Sequence, residues 1–75
     1  MNIILGKRLK ELRLSNGLKQ TDLAKFLEMS ERGYRHYELS EREPNLEMLI
    51  ILADYFNVST DYLLGRTNDP TFNKK

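Results

Sequence analysis

The sequence predicts an all-α domain, five short helices packed as a compact bundle. Three observations lead there. Apolar residues recur at helical spacing, and nowhere do they alternate with the period of two that a half-buried strand requires. Helix start and stop residues divide the first 65 positions into five segments. The chain has 75 residues, enough for one small core, and a domain of that size is expected to hold about 4–11 kcal/mol of stability.

The elements follow in order. Leu5, Leu9 and Leu12 recur at i, i+4 and i+7, with Lys7, Arg8, Lys10 and Glu11 between them, which gives an amphipathic first helix. Asn16-Gly17 ends it, because both residues tolerate the left-handed conformation. Leu23, Ala24 and Leu27 form the apolar face of a second helix that begins near Gln20. Ser30 is a cap for a third helix running to about Leu39, with Glu31 favoured in its first turn and Tyr34 and Tyr37 facing inward. Pro44 stops any continuation, and Asn45 caps a fourth helix whose expected core face is Leu46, Leu49, Ile50, Ala53 and Phe56. Ser59 caps a last helix, Thr60 to Leu64, which Gly65 terminates. Residues 1–66 are therefore read as one domain. Residues 67–75, with Asn68-Asp69-Pro70 and a Lys74-Lys75 end, are expected to form a flexible tail or the start of a linker.

Composition excludes several classes of function. There is no cysteine, hence no disulfide, thiolate nucleophile or Cys-type metal site. His36 is the sole histidine, so the chain holds no multi-histidine metal centre. No nucleophile–base pair or phosphate loop is present, and the sequence is expected to be no enzyme and to need no cofactor. Apolar runs fall far short of the roughly 20 residues of a membrane span, and Ile3-Ile4-Leu5 is too short for a secretory signal. The net charge of +1 conceals an asymmetry. Residues 1–20 set Lys7, Arg8, Lys10, Arg13 and Lys19 against Glu11, a balance of +4, whereas residues 36–65 come to −5. A basic front and an acidic back suit a polyanion on one side only.

The informative spacing lies between the second and third helices. Gln20-Thr21-Asp22-Leu23-Ala24-Lys25-Phe26-Leu27, a break at Glu28-Met29, and a helix after Ser30 make a helix–turn–helix. Around it stand Leu5-Gly6-Lys7-Arg8-Leu9-Lys10-Glu11-Leu12-Arg13, Gly17-Leu18-Lys19-Gln20, Tyr37-Glu38, Arg42-Glu43-Pro44 and Leu52-Ala53-Asp54-Tyr55-Phe56-Asn57-Val58-Ser59-Thr60-Asp61-Tyr62-Leu63-Leu64-Gly65. In this order the segments resemble the Cro/CI-type, XRE-like repressor family over residues 5–66. The resemblance implies the five-helix lambda-repressor-like fold and a transcriptional regulator, usually a repressor, in the cytoplasm of a bacterium or derived from a phage. It also implies sequence-specific binding to double-stranded DNA, usually as a homodimer on a palindromic operator.

With Tyr34, Tyr37 and Glu38 turned inward, the third helix is left with Glu31, Arg32, Arg35 and His36 for the major groove. The Arg32 guanidinium suits O6 and N7 of guanine, and Glu31 suits the cytosine amino group. Glu31 and Arg35 are also four apart in the order that favours a surface ion pair. By resemblance, Glu31, Arg32 and His36 match base-reading positions, and Arg35 beside them serves a base or a phosphate. Gln20 matches a residue that bonds a backbone phosphate, and Lys19 and Arg42 are further phosphate candidates. The family pattern also joins Arg13 to Glu38 as a pair that orients the third helix.

Departures from the pattern matter as well. Glu28 stands in the turn where glycine is usual, Ser40 replaces a common glycine after the third helix, and Lys19 replaces a Ser or Thr cap. Met48, Ile51 and Tyr55 form a second apolar stripe on the fourth helix, which either packs as a satellite of the core or, with Tyr62 and Leu63, meets a second copy of the chain or another segment of a longer protein. A second reading stays open on this stripe and on Glu28, Glu31 and Glu41: a protein-interaction or antitoxin-type module on the same scaffold, with weak or no DNA binding.

Overall fold

Every helix among the described residues closes on a residue in the left-handed region, and only two of those five residues are glycine. The computed structural model describes residues 3–71, in which the chain forms α1 (Ile3–Ser15), α2 (Gln20–Phe26), α3 (Glu31–Glu38), α4 (Leu46–Phe56) and α5 (Thr60–Leu64). No strand occurs among the described residues, so the all-α expectation holds. The closing residues are Gly17, Glu28, Ser40, Asn57 and Gly65, with φ of 68°, 57°, 61°, 57° and 82°. Each donates its N–H to a carbonyl three residues back, and the next residue donates to a carbonyl five back, as in Leu18 N–H to Arg13 O at 3.0 Å and Met29 N–H to Ala24 O at 2.9 Å. This satisfies carbonyls that a helix end leaves without partners.

Two compact units divide the chain, Met1–Glu43 and Pro44–Lys75. In the first, α3 packs on both α1 and α2. Leu5, Leu9, Leu23, Ala24, Leu27, Tyr34 and Tyr37 are buried, and the two tyrosine rings meet edge to face with centroids 6.2 Å apart. Arg13 and Glu38 are the buried charged residues among those described. Gly6 marks a close approach of α1 to the end of α3: a Cβ there would lie 2.6 Å from the Glu38 carbonyl oxygen and 2.7 Å from that of Tyr37. No side chain fits.

In the second unit, α4 and α5 start from matching caps. Asn45 Oδ1 accepts from Met48 N–H at 2.8 Å, and Ser59 Oγ accepts from Tyr62 N–H at 3.0 Å. Leu49, Leu52, Ala53, Val58 and Leu63 are buried. The core face of α4 differs from the expected one. Leu46 and Ile50 are 79% and 53% exposed, while Leu52, absent from the expected face, is wholly buried. The reason is the unbroken apolar run Met48–Ala53, which puts apolar side chains around the whole helix, so spacing alone does not select the inward face. A second correction concerns Leu63, which is wholly buried and has no surface to offer an associating partner. After α5 the chain turns back, with Ser59 N–H donating to Pro70 O at 3.2 Å. Hydrogen bonds from the Thr71 hydroxyl and N–H hold the Asp69 carboxyl below the usual carboxylate range. The end of the expected tail, residues 72–75, lies outside the described residues.

Candidate nucleic-acid interface

Local chemistry sets the helix–turn–helix. Lys19, ahead of α2, offers no capping oxygen, but the Asp22 carboxylate reaches back and accepts from Lys19 N–H at 2.8 Å. This is half of a capping box, with the acidic residue in the first turn where the helix dipole favours it. Glu28 makes the turn. Ser30 then starts α3 from an extended backbone, its Oγ accepting from Gly33 N–H at 3.0 Å.

A chain of polar contacts links three elements of this unit. Arg13 Nε donates to Glu38 Oε2 at 2.7 Å and Nη2 to Oε1 at 3.1 Å, while Nη1 donates to Leu18 O at 3.1 Å. Gln20 Nε2 donates to Glu38 Oε1 at 3.2 Å, and Gln20 Oε1 accepts from Arg35 Nε at 3.3 Å. Arg35 Nη2 donates to Glu31 Oε2 at 3.3 Å. The chain thus runs from a buried pair, with side chains 10% and 3% exposed, to a surface pair, at 46% and 44%. Burial is the largest influence on the Glu38 carboxyl and by itself would raise its pKa. Hydrogen bonds from Arg13 and Gln20 and the Arg13 charge outweigh it, and Glu38 is held below the usual carboxylate range. The same pairing raises the Arg13 guanidinium above its ordinary value.

The outward face of α3 carries Glu31, Arg32 and Arg35, all exposed, and His36, half-buried. Of these, Glu31 and Arg35 engage each other. His36 Nδ1 lies 2.7 Å from Glu41 Oε1. Arg32 makes no hydrogen bond or ion pair with the described residues. Lys19 and Arg42 are exposed, and Gln20 is half-buried with both ends of its amide engaged. Beside the polar chain an open cleft is lined also by Lys10, Lys19, Thr21 and Leu39. Sequence reasoning missed two features: the link that Gln20 makes between Glu38 and Arg35, and the close approach at Gly6. Gln20 stands 18 and 15 positions from its two partners, and no spacing rule reaches that far.

No helix among the described residues is long and apolar enough to cross a membrane. Among the same residues no group of acidic, histidine or cysteine side chains is arranged to hold a metal ion.

Residues 9–63 match the helix-turn-helix family HTH_3. The chain is 42% identical over 65 residues to the SPbeta prophage-derived uncharacterized HTH-type transcriptional regulator YonR of Bacillus subtilis (strain 168), an overlap of 87% of this chain and 60% of that protein. It is 44% identical over 62 residues to the HTH-type transcriptional regulator ImmR of the same organism, covering 83% of this chain and 49% of the relative. A third relative there, the uncharacterized HTH-type transcriptional regulator YobD, is 39% identical over 64 residues, with 85% and 57% covered. The chain spans about half the length of these relatives, from 49% to 60%. The chain belongs to the Cro/CI-type, XRE-like helix-turn-helix family.

Proposed function

We propose that this protein is a sequence-specific regulator that binds double-stranded DNA by laying α3 in the major groove. The observation that carries the reading is Arg32: an exposed guanidinium in the first turn of α3, with no partner among the described residues and two parallel donors for O6 and N7 of guanine. Glu31, Arg35 and His36 complete the reading face. Lys19 and Arg42 contact phosphates, and Gln20 gives one a second amide hydrogen. The Arg13–Glu38 pair orients α3 from behind.

The partner is a palindromic operator and the binding form a homodimer. Ile51, which α4 leaves exposed, supplies an associating surface together with Met48, Tyr55 and Tyr62. Occupying an operator keeps other proteins off the same DNA, so the outcome in the cytoplasm is repression.

Selection from a randomised duplex pool tests the DNA binding, the operator symmetry and the base reading together. The recovered sites are expected to contain two half-sites about one helical turn, or a multiple of it, apart. Affinity is expected to fall with salt at a log–log slope of about −0.9 per phosphate contacted. Arg32→Ala is expected to cost about 1–3 kcal/mol and to erase preference at one guanine position. No enrichment and a flat salt response would overturn the reading in favour of a protein-interaction module.

A further inference from the structure

We infer that Gln20 is a positioning residue, tying Arg35 on the outward face of α3 to the buried Arg13–Glu38 pair so that Arg35 meets DNA already oriented. The inference rests on α3 being the DNA-facing helix. Gln20 is the first residue of α2, and its two partners are chemical opposites. Arg35 carries only donors, and its Nε points to Gln20 Oε1 at 3.3 Å. The Glu38 carboxylate carries only acceptors, and it receives Gln20 Nε2 at 3.2 Å. One orientation of the amide satisfies both. The flipped amide would set NH2 against the guanidinium and oxygen against the carboxylate.

The far end of the tie is fixed. Glu38 receives two hydrogen bonds from Arg13, at 2.7 and 3.1 Å, and its side chain is 3% exposed. The near end would otherwise be loose. Arg35 is also held by Glu31, but at 3.3 Å in an exposed pair on one helix, which is a weak restraint. A free arginine has many rotamers, and ordering them opposes binding. Anchored through Gln20, Arg35 has given up part of that freedom before DNA arrives.

A phosphate contact by Gln20 is compatible with this role, since Nε2 has two hydrogens and Glu38 takes one. The two roles separate experimentally. Losing a phosphate contact weakens binding whatever stands at position 35. Losing the tie weakens binding only while Arg35 is present.

The test is a double-mutant cycle in the full chain, Gln20→Met, Arg35→Met and both together, on a duplex recovered by selection. The Gln20→Met loss in affinity is expected to shrink about threefold or more in the Arg35→Met background, near the low end of couplings within one hydrogen-bond network. In the free protein, solvent exchange of the Arg35 Nε–H is expected to quicken in Gln20→Met. Additive affinities or unchanged exchange would overturn the tie and leave the DNA-binding reading standing. So would a Gln20→Met chain unfolded at the assay temperature, because Gln20 would then be a folding residue. A wild-type chain that recovers no duplex overturns both readings.

Discussion

Arg13 and Glu38, 25 positions apart, meet through two parallel hydrogen bonds at 2.7 and 3.1 Å in a site where their side chains are 10% and 3% exposed. A buried pair is weak evidence for stability as a pair, yet removing one member strands the other. Glu38→Ala leaves the Arg13 guanidinium with only the Leu18 carbonyl and strips Gln20 Nε2 of its acceptor. The expected cost is about 3–5 kcal/mol, or a melting temperature lower by more than about 12 °C. Glu41, 57% exposed beside His36, supplies the control, and Glu41→Ala is expected to cost at most about 1 kcal/mol. Equal losses in melting scans of the two variants would contradict this account.

The same pair makes stability depend on acid. Glu38 has a lowered pKa in the folded chain, so the folded state binds its proton less readily than the unfolded state does. The stabilisation is complete above the ordinary glutamate value of about 4.3 and is lost as the pH falls through the lower folded value. Arg13 is raised and stays charged over the whole accessible range. In Glu38→Gln this contribution is absent. Melting temperatures are expected to differ most between wild type and variant near neutrality and to converge below about pH 4. A gap that stays constant down to acid would assign the effect to another carboxylate.

Helix boundaries were legible because they are local. Ser30, Asn45 and Ser59 each cap a helix with their own oxygen, and Asn16-Gly17 and Gly65 close helices by backbone preference. The inward side of α3 was legible too, since Tyr34 and Tyr37 stand out in a charged segment. The inward side of α4 was not, because six consecutive apolar residues hide the period that would separate Leu52 from Ile50. Nor was the polar chain through Gln20 legible. Glu31 and Arg35 follow from spacing on one helix, whereas the bonds from Gln20 depend on how α2 and α3 are brought together.

Glu28 holds a conformation that suits glycine. With φ at 57° its Cβ crowds the following carbonyl, at a cost of about 1–2 kcal/mol, while glycine adds roughly 0.5–1 kcal/mol of unfolded-chain entropy. The first term wins narrowly. Glu28 is exposed, so little packing is lost on its removal. Glu28→Gly is expected to raise stability by up to about 1 kcal/mol, read as a higher urea midpoint at unchanged slope. Glu28→Ala, which keeps the Cβ, is expected to gain nothing. A lower midpoint for the glycine variant would mean that the side chain has a stabilising contact.

Gly6 is the position where one methyl group should do most harm. A Cβ there would sit 2.6 Å from the Glu38 carbonyl oxygen and 2.7 Å from the Tyr37 carbonyl oxygen, besides 2.6 Å from Ser40 Oγ. The serine can turn away, but the two carbonyls belong to the last turn of α3 and can retreat only if α1 and α3 separate. Alanine gains about 1 kcal/mol in helix propensity, and overpacking a close contact costs about 1–3 kcal/mol. Gly6→Ala is therefore expected to lower the melting temperature, whereas Lys7→Ala, one residue on and exposed, stays within about 0.5 kcal/mol of wild type. Because the displaced turn is the one that holds Glu38, base discrimination is expected to weaken in Gly6→Ala even below its melting point. A Gly6→Ala chain as stable as wild type would mean that α1 and α3 have room between them, and the close approach would have to be abandoned.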